Sequence, residues 1–383
     1  MSSNVKMIRS IATFTLDTGK CPPWLFKRMV KLGRIILIKI VDYFGTEELL
    51  KRLADPAWFQ SLGCVLYFDW NASGLTTTTL GALKFALKGL EKELGVFICG
   101  GKGRTSRKTP EEILYWSDLL GLSQKSYETY VKASKLTAKV DNSLIQDGFT
   151  LYHHNFIFTK NGSWVVIQQG MNQKISRARR YHWYSKNVKD FTLTPHSGIQ
   201  SQVKLPKVFN LVLKEAQENK KGILELINSK KQLFYEIKRL QNIKLGVQLN
   251  LLNLSNQDFS YHPIQNTAEL FENRRILKAI HKATENAPKD FDQLLLIKGL
   301  GPKTIRALSL VAEIIFGARP SFEDPIRYTY AFGGKDGIPY PVEKKRYDKT
   351  IEILEKAIKK SKLGVYEKDR ALKRLYKSFS QML

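Results

Sequence analysis

The 383-residue sequence has few cysteines, few acidic residues and no long apolar run. Cys21, Cys64 and Cys99 stand alone without a CxxC pair, which argues against a zinc ribbon and against a disulfide framework. The longest apolar run near the N-terminus covers residues 35–38, whereas a membrane-spanning helix needs roughly 20 residues. No continuous apolar core of a signal peptide precedes it. We therefore expect a soluble cytoplasmic protein with no membrane association.

Acidic residues are outnumbered by basic ones, since 62 Lys and Arg face 35 Asp and Glu and the formal net charge is +27. An excess of positive charge of this size destabilises a compact chain by self-repulsion unless a polyanion is usually bound. Nucleic acid is the partner that this charge favours, because each neutralised phosphate releases condensed counterions. The alternative is a network of surface lysines of the kind seen in thermophilic proteins.

The apolar pattern predicts a mixed α/β domain followed by an all-α domain. Helical spacing covers residues 21–62, with a second helix beginning at Thr46, and returns over residues 76–94. Buried strands are expected at residues 64–70 (CVLYFDW) and 96–99, and a hairpin at residues 149–172 turns at Asn161-Gly162. The predicted division is an α/β domain with catalytic residues over 1–204, a helical connector over 205–285 and a DNA-binding helical domain over 286–383.

Residues 294–312 (LLLIKGLGPKTIRALSLVA) have the pattern of two helices joined by a glycine turn. Glycine permits a positive φ and a close approach of the backbone to phosphate, and proline is compatible with the first helical position. Free amides at the start of a helix form an anion site. The segment resembles the helix-hairpin-helix motif of DNA repair proteins, which implies a sequence-independent contact with the DNA backbone; a hairpin used only for packing is the alternative. The expected DNA-binding residues are Gly299, Leu300, Gly301, Lys303, Thr304 and Arg306.

Nearly the whole chain also resembles a family of archaeal and bacterial proteins described as a domain of unknown function. The motifs that carry this resemblance are GKCPPWLFKRM (19–29), DPAWFQSLGCVLYFDWNASG (55–74), GGKGRTSRKTPEEI (100–113), QDGFTLYHHNFIF (146–158), QQGMN (168–172), ARRYHW (178–183) and PHSGI (195–199). The resemblance implies no particular activity.

Two basic segments of the N-terminal half are candidate phosphate contacts. The glycine-rich segment GGKGRTSRKTPEE follows a predicted strand and is a plausible phosphate-binding loop, although a disordered basic loop is the alternative. The segment ARRYHW supplies cations that could neutralise a scissile phosphate, or that form a solvated basic face. The candidate residues are Lys102, Arg104, Arg107 and Lys108 in the first segment and Arg179 and Arg180 in the second.

Four of the six histidines, His153, His154, His182 and His196, fall within 44 residues among Gln, Asn and Asp residues. Because adjacent strand residues face opposite ways, only one of His153 and His154 enters a given site. One mechanism places Mg²⁺ or Mn²⁺ on Asp69 and Asp147, with Asp141 as a further candidate ligand and a histidine beside the metal, so that activated water attacks a phosphodiester.

A second mechanism comes from residues 154–172, which resemble one repeat of the phospholipase D-like nucleases. That resemblance implies His154 as nucleophile and Asn172 as its supporting polar group, although Phe156 stands where the family has a lysine and the family's aspartate is missing.

Three functions therefore remain open on the sequence. The first is a nuclease whose N-terminal domain cleaves a phosphodiester, and the second is a non-enzymatic DNA-binding or scaffold protein. The third is a DNA glycosylase, since Asp324 follows the hairpin as the catalytic Asp does in helix-hairpin-helix glycosylases. Convergence of Asp69, Asp147 and one histidine favours the nuclease, whereas Asp324 in an open cleft favours the glycosylase.

Overall fold

The computed structural model describes residues 21–66, 73–242, 273–326, 328–329, 344–360 and 364–380. A central sheet lies between two layers of helices, so the mixed helix-and-sheet class predicted from the sequence is confirmed. None of the helices in these ranges combines the length and the apolar character that crossing a membrane would need.

The helical elements follow one another along the chain as α1 (Pro23–Leu53), α2 (Pro56–Val65), α3 (Gly74–Leu87), α4 (Glu91–Leu94), α5 (Thr109–Leu119), α6 (Gln124–Lys139), α7 (Gln217–Asn228), α8 (Lys230–Asn242), α9 (Arg274–Asn286), α10 (Phe291–Leu296), α11 (Pro302–Phe316), α12 (Lys344–Lys359) and α13 (Val365–Ser380). The strands are β1 (Val96–Lys102), β2 (Ile145–Gln146), β3 (Thr150–Thr159), β4 (Trp164–Asn172), β5 (Arg177–Tyr184), β6 (His196–Ser201), β7 (Phe209–Asn210) and β8 (Tyr328–Thr329).

The predicted strand at residues 64–70 is wrong where the structure describes it, because Cys64 and Val65 end helix α2. Asp55 caps this helix by accepting from the amides of Ala57 (2.9 Å) and Trp58 (3.4 Å), and Pro56 occupies the first helical position. Helix α1 does change direction before Thr46, since Gly45 has the non-helical φ of 79°.

Five strands form an antiparallel sheet in the order β1-β3-β4-β5-β6, and β8 joins β6 in parallel. The predicted hairpin is confirmed: β3 pairs with β4, and Gly162 adopts a φ of 95° in the turn between them. One bulge interrupts this pair between Leu151 and His153. Strand β1 lies at the edge of the sheet, and the basic residues of the loop that follows it are exposed.

Alternation along the strands divides the apolar residues between two cores. Ile157, Val165 and Ile167 pack against α1, α2 and α3, with further contacts from α12 and α13. Phe156, Trp164 and other residues of the opposite face pack against α5 to α11. The second core therefore includes residues of the sheet and of the helices around the glycine turn, and these regions share one set of packing contacts.

Candidate functional site

The glycine turn between α10 and α11 has the backbone geometry that its sequence predicts. Gly299 has a φ of 98°, a conformation that side chains other than glycine rarely adopt. Leu300 is buried, and Gly301 precedes Pro302 at the helix start. The first intrahelical bond runs from the Ile305 amide to the Gly301 carbonyl (3.0 Å). The amides of Lys303 and Thr304 therefore precede the first helical hydrogen bond, as expected at a helix N-terminus.

Two side chains from elsewhere in the chain hold this turn in place. Lys139 Nζ donates to the Leu300 carbonyl (2.5 Å), and Gln146 Nε2 donates to the Pro302 carbonyl (2.9 Å). Burial lowers the pKa of Lys139 from its usual value. Both contacts cross more than 150 residues of sequence, so no local pattern could have identified these positions.

Three cations lie next to the turn in the sequence. Lys298 and Lys303 are exposed, whereas Thr304 is buried. Arg306 is half-buried, with its guanidinium 5.6 Å from the centroid of the Phe209 ring. Burial lowers the pKa of Arg306.

Helix α9 lies next to the turn, because a Cβ added at Gly299 would lie 3.8 Å from Ala279 Cβ of that helix. Arg275, Lys278 and Lys282 are exposed at helical spacing on α9. Sequence reasoning missed this stripe, although its three- and four-residue spacing was a visible signal.

The basic loop begins where β1 ends and forms a 3₁₀ turn over Gly103–Lys108. All four predicted phosphate contacts in this loop are exposed: Lys102, Arg104, Arg107 and Lys108. Gly100 is required by close packing, since an added Cβ would lie 2.3 Å from the His154 carbonyl oxygen. Glu112 accepts from the Gly100 amide (2.7 Å) and from Lys84 Nζ (2.6 Å), and Lys84 also donates to the Gly100 carbonyl (2.9 Å). The loop is therefore anchored at its first residues.

His154 and His153 lie on opposite faces of the sheet, as strand alternation predicts. On the face toward α6, His154 Nε2 lies 2.9 Å from Ser134 Oγ, and its Nδ1 lies 2.8 Å from Gln168 Oε1. Gln168 Nε2 donates to Asp141 Oδ2 (2.5 Å). Burial lowers the pKa of His154. Both ring nitrogens are occupied by protein partners.

Asp141 is the centre of this buried network. It lies in a π-helical turn, Val140–Leu144, and receives Trp183 Nε1 (2.9 Å) and a 2.5 Å contact from His196 Nε2 in addition to Gln168. Turns of this type are rare and occur frequently at functional sites. In this arrangement the histidine of the nuclease hypothesis is connected to Asp141 and not to Asp147.

Asp147 is instead part of a buried ion cluster with Arg179 and Asp324. Arg179 donates to Asp147 Oδ2 (2.8 Å) and to both oxygens of Asp324 (3.1 and 2.8 Å). Tyr181 donates to Asp147 Oδ2 (2.7 Å), and the amide of Phe149 donates to its Oδ1 (2.9 Å). Burial raises the pKa of Asp147, and Arg179 opposes this shift. Every carboxylate oxygen in the cluster therefore has a protein partner.

These contacts bear on two expectations. Arg179 is fully buried and bonded to carboxylates, which is a structural arrangement and differs from the phosphate contact expected of it. Asp324 is 3% exposed and also accepts from the amides of Leu205 (2.8 Å) and Ile326 (3.2 Å), so it does not face the open cleft that a glycosylase demands.

The remaining candidates lie apart from His154. Asn172 Oδ1 accepts from the amides of Lys174 (3.1 Å) and Ile175 (3.4 Å) in the turn after β4. The cross-strand partner of His154 is Gln168. Asn172 lies four residues further along that strand, which corresponds to about 13 Å. Asn172 thus supports the turn and lies far from the imidazole. Asp69 lies outside the described residues.

Arg180 lies on the face opposite Arg179 and is also fully buried. It donates to His182 Nε2 (2.8 Å), Thr76 Oγ1 (3.2 Å) and Gln60 Oε1 (3.1 Å), and it bonds Gln200 Oε1. In the described part of the chain no group of three His, Cys, Asp or Glu side chains is placed to hold a metal ion.

Comparison with known proteins gives one match. The model of the family described as "protein of unknown function (DUF763)" matches residues 10–342. Neither the search of curated proteins nor the search of solved structures finds a match.

Proposed function

We propose that this chain, which belongs to the DUF763 family, binds DNA through the glycine turn between α10 and α11 and the neighbouring basic face of α9. The observations that carry the proposal are a glycine with positive φ, two helix-start amides that precede the first intrahelical hydrogen bond, and exposed lysines at the two ends of the turn, Lys298 and Lys303. Contacts of this kind recognise phosphates and sugars and carry no sequence information. The expected binding is therefore independent of sequence.

The amides of Lys303 and Thr304 are suited to one phosphate, because the helix dipole adds partial positive charge at the same point. Lys298 and Lys303 flank that phosphate position, and the α9 cations Arg275, Lys278 and Lys282 extend the positive surface away from it. The net charge of +27 supports the same conclusion for the chain as a whole.

The test is fluorescence anisotropy of labelled single-stranded and duplex DNA over a range of salt concentrations. Lys303→Ala is the variant and Lys160→Ala is its matched control, since Lys160 is also an exposed cation but lies in the β3–β4 turn. Lys303→Ala should reduce the slope of log affinity against log salt by about 1, whereas the control should leave it near the wild-type value. Equal effects of the two substitutions would mean that the turn is not the contact.

Phosphodiester cleavage by the N-terminal half stays a second, separate proposal, with Mg²⁺ or Mn²⁺ as the expected cofactor. The specific observation in its favour is the hydrogen-bond chain from Ser134 through His154 and Gln168 to Asp141, which orients an imidazole within a network of polar groups. Incubation of labelled DNA with Mg²⁺, Mn²⁺ or EDTA tests it. Metal-dependent cleavage that His154→Ala abolishes would support a nuclease, and binding without cleavage would leave a DNA-binding or scaffold protein.

A further inference from the structure

Large aromatic side chains are exposed on the helical layer that lies across the sheet from the glycine turn. Trp24 of α1, Phe85 of α3 and Tyr366 of α13 are 59%, 55% and 71% exposed. Single exposed apolar residues are ordinary on a protein surface, whereas several in one region indicate a binding site. The position of these three rings relative to one another therefore decides whether they form a surface.

Contacts of α1 bring the three rings to one region. Phe26 of α1 packs edge-on against Phe85, with ring centroids 5.7 Å apart. Lys31 of the same helix lies 3.8 Å from Glu367, the residue after Tyr366. The exposed rings of α3 and α13 therefore lie beside the first three turns of α1, where the third ring is also found.

The same turns of α1 are basic on their exposed side. Trp24, Lys27, Arg28 and Lys31 are exposed at the three- and four-residue spacing of one helix face. The Arg28 guanidinium lies 5.3 Å from the centroid of the Trp24 ring. In the described part of the chain no acidic side chain pairs with Lys27 or Arg28. The charge of these two residues is therefore available to an anionic ligand.

The pairing of an aromatic ring with an arginine recurs on α13. Arg370 follows Tyr366 by four residues, as Arg28 follows Trp24, and its guanidinium lies 5.6 Å from the ring centroid. Each pair places a planar ring and a positive charge side by side at the surface. We call this surface the aromatic face; its residues are Trp24, Lys27, Arg28, Phe85, Tyr366 and Arg370.

Hydrogen bonds between α1 and α3 hold one part of the aromatic face in place. Arg34 of α1 donates to the carbonyls of Ala86 and Lys88, each at 2.8 Å. These bonds fix the last turn of α3, which carries Phe85, against α1. A surface that is already ordered loses less conformational entropy when a ligand binds.

The chemistry of the aromatic face fits a single strand of DNA. The bases of a single strand can stack on exposed aromatic rings while cations beside the rings neutralise the phosphates. In a duplex the bases are stacked on one another, and unstacking them costs free energy. A helix that lies on a membrane differs, because its aromatic and basic residues occupy opposite faces. Here Trp24 shares one face with Lys27 and Arg28.

We propose that the aromatic face binds single-stranded DNA, with bases stacked on Trp24 and Tyr366 and phosphates bound by Lys27, Arg28 and Arg370. The inference rests on the proposed DNA binding and adds the strand state of the ligand. The helices of the glycine turn pack against the other side of the sheet. The two surfaces are therefore separate contacts, and each can be tested without the other.

The experiment measures fluorescence anisotropy of one labelled DNA sequence, presented as a single strand and as a duplex. An unlabelled abasic strand of the same length competes with the single strand, because it has the phosphates without the bases. We expect the abasic strand to compete poorly with the wild-type protein. Trp24→Ala should weaken single-strand binding at least about fivefold, the lower end of the contribution of one stacked base, and leave duplex binding unchanged.

Further variants assign the effect to the rings. Tyr366→Ala should act as Trp24→Ala does, and Trp24→Phe should recover most of the single-strand affinity because it keeps a ring. Tyr235→Ala is the matched control: Tyr235 is 63% exposed and has Arg239 four residues later at 5.8 Å, but it lies on α8 in the other layer. The control should bind both forms of DNA as the wild type does. All the substituted rings are exposed, so each variant is expected to fold, which thermal melting checks.

The outcomes separate this inference from the proposed function. Wild-type single-strand affinity in both Trp24→Ala and Tyr366→Ala would overturn the aromatic face and leave the glycine turn as a DNA contact. Single-strand binding that Trp24→Ala weakens and Lys303→Ala leaves unchanged, in affinity and in salt dependence, would support the aromatic face and overturn the glycine turn.

Two other results would overturn the inference. If the abasic strand competes as well as the same strand with its bases, charge alone accounts for the binding. Binding to vesicles of phosphatidylcholine and phosphatidylserine that Trp24→Ala abolishes, with single-strand affinity unchanged, would assign the aromatic face to a membrane surface.

Discussion

Replacing Arg179 by methionine should be among the most destabilising single substitutions in the sheet. The substitution fills a similar volume but leaves Asp147 and Asp324, with side chains 0–1% exposed, without their shared cation. Removing one partner of a buried ion pair typically costs about 3–5 kcal/mol, and here two carboxylates lose their partner together. A loss near the upper end of that range approaches the whole stability of many domains, which is about 5–15 kcal/mol.

Urea unfolding followed by circular dichroism measures this loss, with Asp324→Asn as the milder change. Asp324→Asn keeps Arg179 paired with Asp147 and should therefore cost less than Arg179→Met. Lys221→Met is the control, because its ion pair with Glu218 is equally short (2.7 Å) but about 70% exposed on both sides. An Arg179→Met protein that unfolds at the wild-type urea concentration would refute the conclusion that the cluster is structural. Loss of DNA cleavage by a fully stable Asp147→Asn protein would refute it independently.

Three further predictions concern single residues. His153→Leu should reduce the acid sensitivity of the protein. The His153 ring is neutral in the fold, with a pKa of about 3, and protonates near 6.5 when the chain is unfolded, so the free energy of unfolding of the wild type falls as the pH drops from 6.5 toward 3, by about 2 kcal/mol at pH 5. Urea titrations of both proteins at pH 7.5 and pH 5 check the difference. Gly100→Ala should lower the melting temperature and weaken DNA binding, because its Cβ would lie 2.3 Å from a carbonyl oxygen at a φ of 86°; an unchanged melting temperature would contradict the close packing. Lys139→Met should loosen the glycine turn and speed hydrogen exchange at Leu300 and Gly301, and unchanged exchange rates there would show that the Lys139 contact is dispensable.

Local signals predicted the parts of the fold that depend on local chemistry. Asn161-Gly162 correctly identified the hairpin, and the residues around Gly299 identified a tight turn between two helices. Residues 64–66 were misread because a short apolar run is compatible both with a buried strand and with a helix buried on all sides. The capping pattern Asp55-Pro56, nine residues earlier, was the stronger signal and was not used.

The candidate sites depend on contacts that no local pattern encodes. Alternation separated His153 from His154 correctly, but it could not show that the partner of His154 is Ser134 on a preceding helix. Arg179 meets Asp324 across 145 positions of sequence, so the two carboxylates that looked catalytic in isolation were already paired with this arginine.

The two side chains that bind the carbonyls of the glycine turn also limit how far this hairpin can be treated as a portable module. A fragment beginning at residue 286 would lack Lys139 and Gln146. Water would then replace these two side chains as the donor to the Leu300 and Pro302 carbonyls. It would also lack Ala279 of α9, against which Gly299 packs. Grafting the hairpin onto another scaffold would therefore transfer its sequence without its rigidity. Under the DNA binding proposed above, substitutions far upstream, in α6, are expected to change affinity without contacting the DNA.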